Sequence, residues 1–318
     1  MVGQKGFYLE ADLANFTDMF IVVHKKIFFI LSAFLMAGSM ASMIIFSPWN
    51  YGIEFTGGTL LEVNFPGGRP ELEVLKMELE DLNWTGTMVQ PTGENNYIIR
   101  TKDLSEEERQ KLINVVSDGG NRNIKEDRFS SIGPTIGVEL RTKAWLAIGL
   151  VMLAIVFYVA FAFRHVSRPV SSWMYGLATV VALLHDVIIP TGVYVALGHY
   201  FIDVQIDALF VTAVLTILGF SVHDTIVVFD RIRENLRLHT GKDFEETVGY
   251  SVSQTLTRSI NTSLTVLLMV LALYFIGGET TKNFAFVLSL GIIVGTYSSI
   301  CIASPLLLVL EQRHRKKA

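Results

Sequence analysis

Cysteine occurs once in the 318 residues, at Cys301, so the chain can close no disulfide on itself and can build no zinc or iron–sulfur centre from thiolates. Charge is scarce too: Asp, Glu, Lys and Arg make up 18 % of the residues, where soluble domains run near about a quarter. The net charge of -4 offers no basic field for a phosphate backbone, which argues against nucleic acid as a partner. Gly-x-Ser-x-Gly, His-Glu-x-x-His and Walker-type glycine motifs are all missing, so neither a serine hydrolase, a zinc protease nor a nucleotide-driven machine is indicated. What the chain has in excess is apolar: 51 % of residues are hydrophobic and the mean hydropathy is +0.44. That composition belongs to a membrane protein.

A helix needs about 20 mostly apolar residues to cross a bilayer. Six stretches qualify, near Ile27–Phe46, Ala144–Phe163, Val170–Leu197, Ile206–Phe229, Ile260–Ile276 and Phe284–Leu310. The first is longer than a signal-peptide core and no Ala-x-Ala site follows it, so it is expected to be a retained anchor. Basic residues set the orientation. With the amino terminus inside, the inner segments hold Lys5, Lys25, Lys26, Arg164, Arg168, Arg231, Arg233, Arg237, Lys242, Arg258, Arg313, Arg315, Lys316 and Lys317, while the two short outer loops hold only Lys282. Both termini are therefore expected in the cytoplasm. Trp49, Tyr51, Trp145, Trp173, Tyr200 and Tyr274 fall near span ends, at headgroup level.

This divides the chain into a cytoplasmic segment 1–26, a first span 27–46, an outer domain 47–143, a five-span region 144–310 and a basic tail 311–318. In the outer domain, Thr59 to Phe65 alternates as a half-buried strand does, and Leu72, Leu75, Leu79 and Leu82 recur at helical spacing after Pro70. Met88–Gln90 and Tyr97–Arg100 flank a turn-rich segment and read as a hairpin. Ser105 with Glu108 forms a capping box for a second helix carrying Leu112, Val115 and Val116, and a last strand is expected near Arg128–Ile132. The order β-α-β-β-α-β is that of a ferredoxin-like α+β domain. It contains no His and no Cys, so no nucleophile with its base is expected there. Phe55-Thr56-Gly57-Gly58-Thr59 reads as a tight turn entering the first strand.

The ionisable residues within the spans carry the functional argument, because a charge at the centre of a membrane helix costs at least about 2.5–3.5 kcal/mol on insertion scales. Asp224 lies seven residues before Arg231, roughly 10 Å above the inner boundary at about 1.5 Å per residue. It shares a face with Ala213, Ile217, Phe220, Ser221 and Val228, beside a stripe of Thr212, Thr216, Gly219 and His223. Such a face suits a carboxyl that gains and loses a proton, or one that merely glues helices. Arg258, Asn261, Thr262 and Thr265 put a polar face on the fifth span, which is expected to turn toward Asp224 with Arg258 stabilising its ionised form. In the third span His185 and Asp186 precede Pro190, and Asp186 is read as a second station on a proton path. Gly291, Gly295, Ser299 and Ala303 repeat every four residues, a stripe for close helix packing with Gly219. Adjacent helical residues diverge by about 100°, so neither His-Asp dipeptide can face one metal ion. No metal, no cofactor and no enzymatic chemistry is expected.

The run Gly219-Phe220-Ser221-Val222-His223-Asp224-Thr225-Ile226-Val227-Val228-Phe229-Asp230-Arg231-Ile232-Arg233-Glu234-Asn235 resembles a signature of the SecD/SecF protein-export family. Also similar are Gly52-Ile53-Glu54-Phe55-Thr56-Gly57-Gly58-Thr59, Gly133-Pro134-Thr135-Ile136-Gly137, His185-Asp186-Val187 and Gln254-Thr255-Leu256-Thr257-Arg258-Ser259. The resemblance implies a half-unit of the resistance-nodulation-division superfamily in the bacterial inner membrane. It would be paired with a SecD-like subunit and act beside the SecYEG channel and SecA on a translocating, unfolded polypeptide. It further implies that the residues matching Asp224 and Arg258 serve proton transport, so that the proton motive force moves the outer domain. Sodium is the open alternative as coupling ion. His223 stands where the family usually has asparagine, and is read as a neutral hydrogen-bonding substitute rather than part of the proton path. Two other readings keep the same architecture: a half-size proton-coupled transporter of lipids or small amphiphiles, and a passive brace for a channel.

Overall fold

The computed structural model describes residues 20–84, 86–164, 170–201, 204–238 and 243–315. Lys5, Arg168, Lys242, Lys316 and Lys317 of the basic inner set lie outside the described residues, as do most of 1–26 and the end of the 311–318 tail.

Six helices are long and apolar enough to span a membrane. They are α1 (Lys25–Ile45), α5 (Pro134–Ala162), α6 (Ser172–Tyr200), α7 (Ala208–Leu238), α8 (Phe244–Ile276) and a last span assembled from α9 (Glu279–Ser298), a π-helical turn (Ser299–Ala303) and α10 (Ser304–Arg315). Between α1 and α5 stand a single helical turn α2 (Ile53–Thr56), strands β1 (Gly58–Asn64), β2 (Met88–Thr92), β3 (Asn96–Thr101) and β4 (Lys125–Ile132), and helices α3 (Leu72–Glu80) and α4 (Glu106–Val116). The protein is a six-span membrane protein with a small α+β domain. Three helices outrun the apolar stretches that announce them: α5 starts at Pro134 rather than Ala144, α7 runs on to Leu238, and α8 begins at Phe244 rather than Ile260. Hydropathy marks only the part of a helix that lies in hydrocarbon, and caps mark the rest. Asp243 caps α8 by accepting from the Glu246 amide at 2.8 Å.

The residues group into two compact units, one of 1–48, 148–197 and 212–318, the other of 49–147 and 198–211. In the second, the strands form one antiparallel sheet in the order β2-β3-β1-β4, the arrangement of a split β-α-β motif. Alternation along β1 sends Leu61 and Val63 into a core completed by Phe65, Leu75, Leu79, Tyr97, Ile99, Leu112 and Val116. Ser105 and Glu108 make the expected capping box at the head of α4. Arg122 forks onto both carboxylate oxygens of Glu78 at 2.6 Å, tying the loop after α4 to α3. The glycine pair before β1 has a steric cause. Gly57 has φ 77°, and a Cβ there would sit 2.5 Å from Pro134 Cα, while one on Gly137 would sit 2.5 Å from Gly57 N. The turn therefore lets two backbones touch where α5 begins.

In the first unit, Phe163 stacks on Tyr175 at 4.9 Å and Phe229 stands edge-on to Tyr175 at 5.2 Å, a buried aromatic knot joining α5, α6 and α7. Large apolar side chains such as Ile30, Phe34, Phe157 and Phe275 are exposed, as lipid-facing helix surfaces are.

Candidate functional site

Asp224 lies on the buried face of α7 with Ala213, Ile217, Ser221 and Val228, and is only 3 % exposed. Its Oδ2 is buried and makes no hydrogen bond among the described residues, and the same holds for Oγ of Ser259 on α8. Ser259 and Ser263 present their hydroxyls to the carboxyl, while His223 and Arg258 act on it by charge. Asp224 thus sits in a buried, hydroxyl-lined pocket.

The expected polar face of α8 is turned away from this pocket. Arg258, Asn261 and Thr265 are exposed and Thr262 is half-buried, whereas Ser259 and Ser263 point inward. The cause is a longer pattern: Thr247, Ser251, Thr255, Ser259 and Ser263 recur every four residues and all are buried. Small hydroxyl side chains let helices approach closely, and this row outweighs the bulkier Arg258 row in deciding which side faces the bundle. Thr296 of α9 donates to Ser263 at 2.6 Å and closes the contact. The stripe of Thr212, Thr216, Gly219 and His223 on α7 is exposed as well. Gly219 is therefore no packing glycine within this chain, since a Cβ there would meet nothing within 4 Å. Gly291 and Gly295 do pack on α7: a Cβ on Gly291 would overlap Ile217, and one on Gly295 would lie 3.1 Å from Ser221 Cβ.

Asp186 is fully buried and is held by donors from three helices, α6 itself, α7 and α9. It accepts from His185 Nδ1 at 2.8 Å, from Ser298 Oγ at 2.6 Å and from Ser221 Oγ. The adjacent His185 and Asp186 side chains meet each other despite the divergence of neighbouring helical positions. His185 stacks on Tyr297, whose hydroxyl accepts from Ser32 and donates to the Phe28 carbonyl, both at 3.1 Å, bringing in α1. Ser221 lies three residues before Asp224 on α7, so the two acidic sites meet the same helix within one turn. Between them, Thr225 and Ser299 share a hydrogen bond at 2.8 Å, and Ser299 opens the π-helical turn. Single π turns inside helices frequently mark functional positions. Sequence reasoning placed Ser221 on the Asp224 face but missed Ser259, Ser263, Thr296 and Ser298. The four-residue hydroxyl row of α8 was the available signal for two of them. Among the described residues no three of His, Cys, Asp and Glu gather as metal ligands would.

Residues 112–313 match the family described as protein export membrane protein SecD/SecF, C-terminal, and residues 44–65 match the SecD/SecF GG motif, which takes in Gly57 and Gly58. The chain belongs to the SecD/SecF family. It is similar to the protein translocase subunit SecF of Thermobaculum terrenum, 41 % identical over 306 residues and covering 92 % of this chain and 94 % of that one. It is also similar to the SecF subunit of Vibrio alginolyticus, 37 % identical over 293 residues and covering 90 % of this chain and 88 % of that one. Protein translocase subunit SecDF of Thermus thermophilus is 38 % identical over 300 residues. The crystal structure of that SecDF, described as translocon-associated, superposes with a TM-score of 0.78 at 33 % identity, covering 92 % of this chain and 38 % of the other. This chain thus spans about two-fifths of the fused relative. As a SecF-family member it is a multi-pass subunit of bacterial protein translocation, an auxiliary to the Sec machinery.

Proposed function

We propose that this SecF-like chain couples the proton motive force to polypeptide export, with Asp224 as the group that loads and releases the proton. The carrying observation is the uncommitted Oδ2 of Asp224 in a pocket lined by Ser259 and Ser263. An ionisable group this deep in the spans is rarely accidental, and a carboxyl oxygen without a hydrogen-bond partner among the described residues is open to a proton. Arg258, on the exposed flank of α8, is the positive charge that serves proton transport beside it in this reading. Asp186, reached through Ser221, serves as a second station. His223 acts as a neutral hydrogen-bonding group on the open flank of α7.

The exposed row of Thr212, Thr216, Gly219 and His223, with Arg258 and Asn261 nearby in kind, is polar where lipid would be expected. A SecD-like half covers it in this reading, as suggested by the fused SecDF relative, in which this chain matches only one part. The assembly works beside SecYEG and SecA on the emerging chain, with both termini cytoplasmic and the α+β domain outside, following the basic residues of the inner loops. One proton crossing about 100 mV releases about 2.3 kcal/mol, enough to bias two conformations of the outer domain more than tenfold.

The test is co-reconstitution with a SecD-like partner and measurement of proton flux and precursor translocation, in sodium-free and sodium-containing buffer. Asp224→Asn is expected to abolish both flux and export stimulation while leaving assembly intact. Full, uncoupler-sensitive export by that variant overturns the proposal, and a parent chain that works only in sodium-containing buffer moves the coupling ion to sodium.

A further inference from the structure

Outside the spans, the segment that leaves α1 and the loop between α6 and α7 are laced together by backbone. Tyr51 and Ile206 form an isolated parallel bridge. Ile206 N donates to Asn50 O at 2.8 Å and Gly52 N donates to Ile206 O at 3.0 Å. The Asn50 side chain donates to Val204 O at 3.0 Å and to Gly198 O at 3.4 Å. Next to this bridge stands an acidic pair. A Cβ on Gly52 would lie 3.0 Å from Asp207 Cβ and 2.7 Å from Glu54 Oε2, so both acidic residues crowd the one glycine. Asp207 also caps α7, its Oδ1 accepting from Phe210 N at 2.7 Å. The helix it caps is the one that carries Asp224.

We propose that this lacing is a proton-operated clasp, tightened when Asp207 is neutral and slackened when Asp207 and Glu54 are both charged. It goes beyond the export mechanism above and does not depend on it. Burial pushes the Asp207 carboxyl up to about 6, against the bond from Phe210, and the negative charge of Glu54 adds to the rise. Among the described residues, the surrounding elements also carry Arg141 of α5, whose guanidinium lies over the Tyr51 ring at 5.2 Å, the ion-paired Glu139 and Lys143 of the same helix, and His199 and Tyr200 in the last turn of α6. The first turn of α7 adds no acid. A carboxyl raised in the closed form binds more protons there than in the open form, between about 4 and about 6. Closure is therefore favoured as pH falls through that window and weakened as it rises. Asp207 lies immediately before the first residue of α7, in the loop that follows α6.

Hydrogen exchange on the full chain in lipid nanodiscs, read by mass spectrometry from pH 5 to 8 and corrected for intrinsic rates, tests this. The Gly52 and Ile206 amides should be at least tenfold better protected at pH 5 than at pH 8. Asp207→Asn keeps the cap, because asparagine caps as well as aspartate. It should hold protection high across the range, and Glu54→Gln should move the midpoint to lower pH. A wild-type profile without a step, the same step in Asp207→Asn, low protection in Asp207→Asn at every pH, or an equal step at the Ile99 amide of β3 would each overturn the clasp.

Discussion

Ser298 donates to Asp186 across 112 positions of sequence, at 2.6 Å, and with Ser221 and His185 it leaves that buried carboxyl fully engaged. The contrast with Asp224, whose Oδ2 has no hydrogen-bond partner among the described residues, separates the two acidic sites by their chemistry rather than their depth.

The engaged site is expected to be structural in its energetics. Ser298→Ala should lower stability by about 1–3 kcal/mol, the cost of an unmade bond to a buried charge. Asp186→Ala, which strands three donors at once, should cost about 3–5 kcal/mol. Unfolding of the purified chain in detergent measures both, and equal small effects would contradict the network.

His223 is exposed on α7, one residue from Asp224 but on a different side of the helix. Replacing it with asparagine is expected to leave the pH dependence of export unchanged. A displaced profile in a translocation assay would bring His223 into the proton path.

Where α5 begins, Gly137→Ala places a methyl group 2.5 Å from Gly57 N, against backbone that cannot swing aside. A loss of about 1–3 kcal/mol is expected. Limited proteolysis of the full chain at rising temperature should show the α+β domain cut several degrees earlier than in the parent protein.

The capping box of α4 gives a more modest case. Ser105→Ala removes the bond accepted from the Glu108 amide at 3.3 Å and should cost about 1 kcal/mol. The Glu108 carboxyl, held down to about 2 chiefly by Lys102 and then by the Ser105 amide, is expected to drift back toward the usual range only slightly in that variant. A carboxyl titration by NMR on the Glu108 signal checks this.

The spans and the α+β domain were legible because their signals are local. Hydropathy finds about 20 residues at a time, and Leu75, Leu79, Leu112 and Val116 declare themselves by spacing alone. The rotation of α8 was not legible from Arg258 and Asn261, because a row of small hydroxyls competes with them and begins at Thr247, ahead of the apolar stretch. The meeting of Asp186 with Ser221 and Ser298 depends on how far three helices are shifted along their axes. Hydropathy places span ends too coarsely to fix that offset, so only the residue types, and not their convergence, could be read in advance.

The five residues from Ser299 to Ala303 hold one more than an α-helical turn accommodates, with Ser304 Oγ donating to the Ser299 carbonyl at 3.0 Å. At about 100° per residue, the eight steps from Ser299 to Leu307 would leave the two about 80° apart around a regular helix. Absorbing one residue brings them within about 20°, so a hydroxyl row and a leucine row share one inward edge, and Leu307 and Leu308 are both sealed from contact with the surroundings. The last span is in this sense two registers spliced at a single point, and that splice sits beside the helix on which both acidic sites converge.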